Sequence, residues 1–341
     1  MKRTDRVPAH HRFRKACWRV CTAVLLLLPS PWALADQNSQ QARDILHQMF
    51  AATKTLNYDG TFVYSHGDSL DSMRIIHKVD NGREFERVLS LTGAAREVVR
   101  DNRVTTCIFP DNRAVMVARS RPNQFFSSAW PETVDRIANS YTLAVLSSDR
   151  VAGRETWVVG ISPKHQDRYG YQLWIDRTWY LLLKSTVIDT NGKPLEQVLF
   201  TDIKLTDHIP DTLLKPAVDG RGYTWYINES QSESQAGPGK SRWTVGSLPK
   251  GFAMREYGIQ AMSASRTPVD HMVFSDGLAT VSVFVEELEG LDDSKEGHRS
   301  MGAVNAYSTL VNGYQVTVVG ELPLVGVQRI ATSVTHLFSG P

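Results

Sequence analysis

From Tyr58 onward the chain is cut into short runs rich in β-branched and aromatic residues, separated by turn signals such as Asp80-Asn81-Gly82, Asp101-Asn102, Asp111-Asn112 and Asn191-Gly192. Such runs read as antiparallel strands joined by hairpin-length turns. We place them at 58–65, 71–79, 83–91, 95–100, 103–109 and 113–119, and after a pause at 154–162, 168–176, 180–189 and 195–205. A single sheet of about ten strands does not stay flat and open. The pattern therefore predicts a strongly curved sheet or half-open barrel whose concave face needs filling. Two fillers are at hand. Ala42, Ile45, Leu46, Met49, Phe50 and Leu56 recur at spacings of three and four and predict an amphipathic opening helix over 39–56. Residues 121–150 carry Pro122, Phe125, Phe126 and Trp130, with Pro131 at a helix start before Glu132–Ala138. They read as an insertion of loop and short helix covering one face of the sheet.

After Pro210 and Pro216 the chain reaches 228–241, a polar stretch without apolar periodicity that reads as a flexible connection. Beyond it, 243–249, 253–262, 269–274, 279–286, 303–311 and 315–319 read as strands. A closing helix follows with Leu324, Val327, Ile330, Val334 and Leu337 on one face. The predicted class is α+β: a large curved-sheet domain over 36–206, a linker over 207–241 and a small α+β domain over 242–341.

Residues 1–35 read as a secretory signal peptide: seven basic residues against Asp5, the apolar run 20–28, and Ala33-Leu34-Ala35 as the cut site. The apolar core falls short of the ~20 residues of a membrane span, and no later stretch reaches that length. The mature chain is expected to begin at Asp36 and to be exported and soluble. Without the leader, the 38 Lys+Arg and 36 Asp+Glu reduce to 31 and 35, a balance that argues against a general nucleic-acid binder. Cys17 and Cys21 leave with the leader, so Cys107 can form no intrachain disulfide.

None of the constellations with mechanical content is present: no His-Glu-x-x-His, no Gly-x-Ser-x-Gly, no phosphate-cradling glycine loop. The eight mature histidines show no ligand spacing, and no metal, cofactor or enzymatic activity is called for. Cys107, in a strand pattern, reads as a small buried hydrophobe. Strand alternation puts Phe62 and Tyr64, Phe85 and Leu89, Trp157 and Val159, Tyr171 and Leu173, and Leu181 and Leu183 each on one side of their strands. As a set they are candidates to line an apolar groove, and ordinary core packing is the alternative for each. Residues 96–121 are basic. Arg96, Arg100, Arg103 and Arg113 either contact an anionic group or a partner, or form a solvated face with local ion pairs.

Several motifs in order resemble the RseB/MucB family of periplasmic regulators of envelope-stress sigma factors. They are 56–62 (Leu-Asn-Tyr-Asp-Gly-Thr-Phe), 93–100 (Gly-Ala-Ala-Arg-Glu-Val-Val-Arg), 168–176 (Arg-Tyr-Gly-Tyr-Gln-Leu-Trp-Ile-Asp), Trp243 with 248–252, 275–277 (Ser-Asp-Gly) and 319–323 (Val-Gly-Glu-Leu-Pro). The resemblance implies a lipoprotein-carrier-like half-barrel with helices in its concave face. It also implies binding to the periplasmic segment of a single-pass, MucA/RseA-like anti-sigma factor, which is thereby shielded from a site-1 protease. Lipid or lipopolysaccharide fragments are implied to enter the groove and weaken that complex, and control of alginate production is the implied output. A periplasmic lipid or lipoprotein carrier is the competing reading. The residues leave the oligomeric state open, a homo-oligomer included.

Overall fold

The computed structural model describes residues 31–101, 104–119, 134–228, 241–260, 267–288 and 296–337. The leader before residue 31 and the aromatic cluster Phe125, Phe126 and Trp130 lie outside the described residues. An opening helix, α1 (Pro31–Thr53), precedes β1 (Tyr58–His66), β2 (Ser69–Asp80), β3 (Arg83–Ser90), β4 (Glu97–Asp101), β5 (Val104–Phe109) and β6 (Ala114–Arg119). After the short helix α2 (Val134–Ala138) come β7 (Tyr141–Val151), β8 (Arg154–Pro163), β9 (Gly170–Asp176), β10 (Leu182–Ile188) and β11 (Pro194–Leu205). A 3-10 turn at Asp211–Leu214 and β12 (Thr224–Asn228) complete this part.

These twelve strands form one curved sheet in the order β12-β6-β5-β4-β3-β2-β1-β11-β10-β9-β8-β7, antiparallel throughout except that β12 runs parallel to β6. The chain is a meander that folds back on itself, so that β11 pairs with β1 in the middle of the sheet. Ala42, Ile45, Leu46 and Met49 of α1 are buried against the concave face. Burial of each of Ile45, Leu46 and Met49 contributes about 1.5–3 kcal/mol. Asn38 anchors the helix: its side chain accepts the Val145 N–H at 2.6 Å and donates to the Val145 carbonyl at 3.0 Å, where the β7–β8 register slips.

Two readings of the sequence change. The stretch taken as an insertion over 121–150 ends in an edge strand, β7, whose Tyr141 and Leu143 point inward while 146–150 stay exposed. The polar second half of that strand hid its alternation. The stretch 207–241, read as a linker, is structured over its first part. Residues 211–217 are strapped to the outer face, where buried Glu97 accepts the Ala217 N–H at 3.0 Å and Arg87 donates to the Leu213 carbonyl at 3.0 Å.

The second part holds β13 (Trp243–Val245), β14 (Ala253–Gln260), β15 (Val269–Ser275), β16 (Thr280–Glu287), β17 (Gly297–Met301), β18 (Val304–Val311), β19 (Tyr314–Gly320), α3 (Leu324–Thr332) and β20 (Val334–His336). Six strands form a sheet in the order β14-β15-β16-β19-β18-β17, and α3 packs on it through Val327, Ile330 and Ala331. The closing helix is shorter than its apolar spacing predicts. It stops at Ser333, after which Val334–His336 pairs with Trp243–Val245, leaving Leu337 exposed. The exposed strand β17 had no apolar alternation to announce it.

Candidate functional site

The inward face of the large sheet has two halves of different character. Over β7–β11 and β1–β2 it is filled: Phe62, Val159, Tyr171, Leu173, Leu181 and Leu183 belong to one core cluster with α1 and α2, and Tyr64 and Trp157 pack against it. Eight of the ten residues proposed for a groove thus meet in one place, in a core packed against the two helices. Phe85 and Leu89 are not among them. The register sets Val88 beside inward Ile75, so that Phe85 and Leu89 face outward, beside Lys78 and Arg74. Alternation within β3 could not reveal which of its two faces turns inward.

Toward the other edge the same face opens. The pairing register lines up Ile75, Val88, Val98, Cys107, Met116 and Tyr226 as one transverse row across β2 to β6 and β12. Its burial falls steadily, from Ile75 at 1% exposed to Met116 at 47% and Tyr226 at 58%. Cys107 sits half-buried in this row with its thiol pushed up by burial, a shift that the nearby Arg96 opposes. That is the reverse of what a nucleophilic cysteine needs.

One row over, the residues are polar: Thr105, Arg100, Glu86, His77 and Tyr58 lie side by side. Arg100, buried, donates to Glu86 at 3.0 Å and to Glu84 at 3.5 Å. His77 is fully buried, stacked on Tyr58 at 4.9 Å, with Nδ1 3.0 Å from the Leu56 carbonyl. Burial holds His77 below the ordinary imidazole value, with the charge of Glu86 acting against it. The neutral ring then donates through Nδ1, and Nε2 is an acceptor with no partner among the described residues.

Of the four arginines proposed for anion or partner contact, Arg100 is therefore committed to an internal ion pair. Arg96 and Arg113 are exposed, and the register of β4, β5 and β6 puts them at the same end of the sheet. Arg103 lies outside the described residues.

A third feature, unforeseen from the sequence, is the junction between the two sheets. Arg168, fully buried, donates to the equally buried Asp276 at 2.5 Å, to the Lys250 carbonyl at 2.7 Å and to Asp167 at 2.8 Å. The Tyr141 hydroxyl donates to the same Asp276 oxygen at 3.1 Å, and the guanidinium stacks over Tyr141 and Phe252 at 5.6 and 5.3 Å. Nearby, Asn305 donates to the Tyr169 hydroxyl at 2.9 Å and to the Leu322 carbonyl at 2.7 Å. Three motifs that carry the sequence resemblance, at 168–176, 248–252 and 275–277, converge on this node. A charged residue opening an otherwise apolar strand run was the available signal for Arg168.

Sequence profiles of the MucB/RseB N-terminal domain and of the MucB/RseB C-terminal domain match residues 41–218 and 237–335. The chain belongs to the MucB/RseB family. The sigma factor AlgU regulatory protein MucB of Pseudomonas aeruginosa is 31% identical over 331 residues, covering 92% of this chain and 96% of that protein. The sigma-E factor regulatory protein RseB of Haemophilus influenzae is 28% identical, over 91% of this chain and 95% of its own. A crystal structure of MucB in complex with MucA(peri) superposes with a TM-score of 0.69 at 27% identity, over 87% of this chain and all of that one. The family is thus one of sigma-factor regulatory proteins, and no helix among the described residues is long and apolar enough to cross a membrane.

Proposed function

We propose that this protein is an exported, periplasmic negative regulator of an alginate-type envelope-stress sigma factor. It binds the periplasmic segment of a single-pass anti-sigma factor and shields that segment from site-1 proteolysis. The observation that carries this reading is the match along nearly the whole chain to MucB, solved in complex with MucA(peri). In the same reading 242–341 is the partner-binding unit, 36–206 is a lipid-responsive half-barrel, and a lipid or lipopolysaccharide fragment favours release. Linkage sets the condition: the lipid weakens the complex only as far as it prefers the unbound conformation.

We assign the lipid to the open row Val98–Cys107–Met116–Tyr226 rather than to the packed core. Each methylene buried there contributes ~0.8 kcal/mol. Arg96 and Arg113, exposed and without an ion pair among the described residues, would meet an anionic head group, but an exposed ion pair adds only ~0–1 kcal/mol, so the chains dominate affinity. The test is a cleavage assay on the anti-sigma segment with its site-1 protease. The protein is expected to slow cleavage in proportion to occupancy, and an amphiphilic lipid to restore it. Cleavage at an unchanged rate under saturating protein refutes the shielding role.

A further inference from the structure

β12 forms one edge of the large sheet: among the described residues it is bonded to β6 and to no strand on its other side. The other edge strands of the two larger sheets are guarded. β7, β14 and β17 all carry charged residues, and Asn38 of α1 takes the Val145 N–H and carbonyl of β7. β12 reads Thr-Trp-Tyr-Ile-Asn, with no charge and no proline, and it exposes Trp225 and Tyr226. Such an edge is a template for one more strand.

Both faces beside that edge are also prepared. On the outer face, an open cleft of about 690 Å³ lies between the sheet and residues 215–220, lined by buried Ile108 and Val115 and by Val218, Tyr223 and Trp225. Its walls are fixed. The Trp225 Nε1 donates to the Gly220 carbonyl at 3.2 Å, and Gly220, at φ +68, leaves the space that the indole fills: a Cβ there would lie 2.7 Å from the ring. Glu97 holds the neighbouring wall through the Ala217 N–H. On the inner face Tyr226 ends the apolar row. Strand alternation would therefore send one side chain of an added strand to the cleft beside Trp225 and the next to the row beside Tyr226.

We propose that an extended, apolar segment of the anti-sigma factor's periplasmic region adds to β12 as a further strand, with alternate side chains seated against Trp225 and Tyr226 and an acidic residue beside Arg96 and Arg113. The partner is the one the regulator reading supplies, and the inference rests on that reading. Charge selects between occupants. Residues 96–121 carry six arginines against Glu97, Asp101 and Asp111, and Arg113 stands where β12 begins, its carbonyl accepting the Thr224 N–H at 2.8 Å. A second copy would bring the same basic segment to the edge, like charge to like, whereas an acidic segment meets its complement. Main-chain hydrogen bonds then supply affinity, and the two side-chain seats supply selectivity. Because Tyr226 also ends the row assigned to the lipid, strand and acyl chain exclude one another there, which is the differential binding that release requires.

The experiment uses the full mature chain and the purified periplasmic segment of its cognate anti-sigma factor, reading affinity by calorimetry and the amides of 224–228 by hydrogen exchange. Protection of those amides is expected to rise on adding the segment and to fall again on adding lysophosphatidylglycerol. Trp225→Ala and Trp225→Lys are expected to weaken the segment about tenfold or more, with the unfolding midpoint unchanged. Wild-type protein that binds the segment with no change at 224–228, or variants that bind it as tightly as wild type, overturns the added strand and leaves the regulator standing. Protection that grows with protein concentration alone, together with a doubled mass in sedimentation, assigns the edge to a second copy and overturns it too. Protection that saturating lysophosphatidylglycerol leaves intact overturns the shared seat at Tyr226. Absence of any binding by wild type removes the regulator reading and this inference together.

Discussion

Replacing Arg168 by Met removes the cation of a pair whose two members are both fully buried. Asp276 then keeps the Leu278 and Ala279 N–H groups, both at 2.9 Å, and the Tyr141 hydroxyl at 3.1 Å. Breaking one side of a buried pair costs about 3–5 kcal/mol, and the three retained donors put Arg168→Met at the lower end, near ~3. Asp276→Asn is the harsher change. It leaves a buried guanidinium with Asp167 as its only charged partner among the described residues, which places it near the upper end of about 5 kcal/mol. The double variant is expected to cost clearly less than the sum, with a coupling of ~2 kcal/mol or more, because each single change strands the partner of the other. Urea unfolding of the full mature chain, followed by tryptophan fluorescence and circular dichroism, measures all three. The two sheets have separate cores, so loss of the node also splits one transition into two. Singles that each cost under ~1 kcal/mol and add without coupling refute the reasoning.

Other expectations follow from the same geometry. Gly60→Ala puts a Cβ 2.8 Å from the Asp202 carbonyl and 2.9 Å from the Phe200 ring, and is expected to destabilise by about 1–3 kcal/mol in thermal unfolding. His77 is held neutral in the folded state, so its contribution to stability is present above ~6.5 and lost as pH falls through and below that value. His77→Gln should remove that part of the acid dependence. Met116→Glu, at an exposed position of the open row, should weaken saturable lipid binding while leaving the unfolding midpoint in place.

How far the sequence led can be traced element by element. Strands with an inward apolar face were legible because burial imposes period two on them, as in β1 with Tyr58 and Phe62 or β8 with Val159 and Ile161. Three edge strands were not, although the edge strand β14 was: β7 is polar over half its length, β12 exposes Trp225 and Tyr226, and β17 is exposed throughout. Periodicity reports burial, and an edge strand held by backbone bonds need not bury anything. Eight of the ten residues proposed for a groove came together because they share a packed core, but alternation within a strand cannot tell inner from outer face. Phe85 and Leu89 were misplaced for that reason, and only the pairing of Val88 with Ile75 decides the matter. Met116 and Tyr226, which line the open row, belong to strands that register alone brings together. The Arg168–Asp276 pair joins residues 108 positions apart, and no local pattern encodes such a contact. Its motifs were nevertheless visible as the carriers of the resemblance, although their task of bolting two sheets together was not.

The central claim is most directly tested by the affinity of mature 36–341 for the periplasmic segment of its cognate anti-sigma factor, measured by calorimetry with and without an amphiphilic lipid. Binding at micromolar concentration or tighter, weakened by the lipid, is the expected result. Saturable lipid binding with no binding of the segment contradicts the regulator and leaves a lipid or lipoprotein carrier in its place.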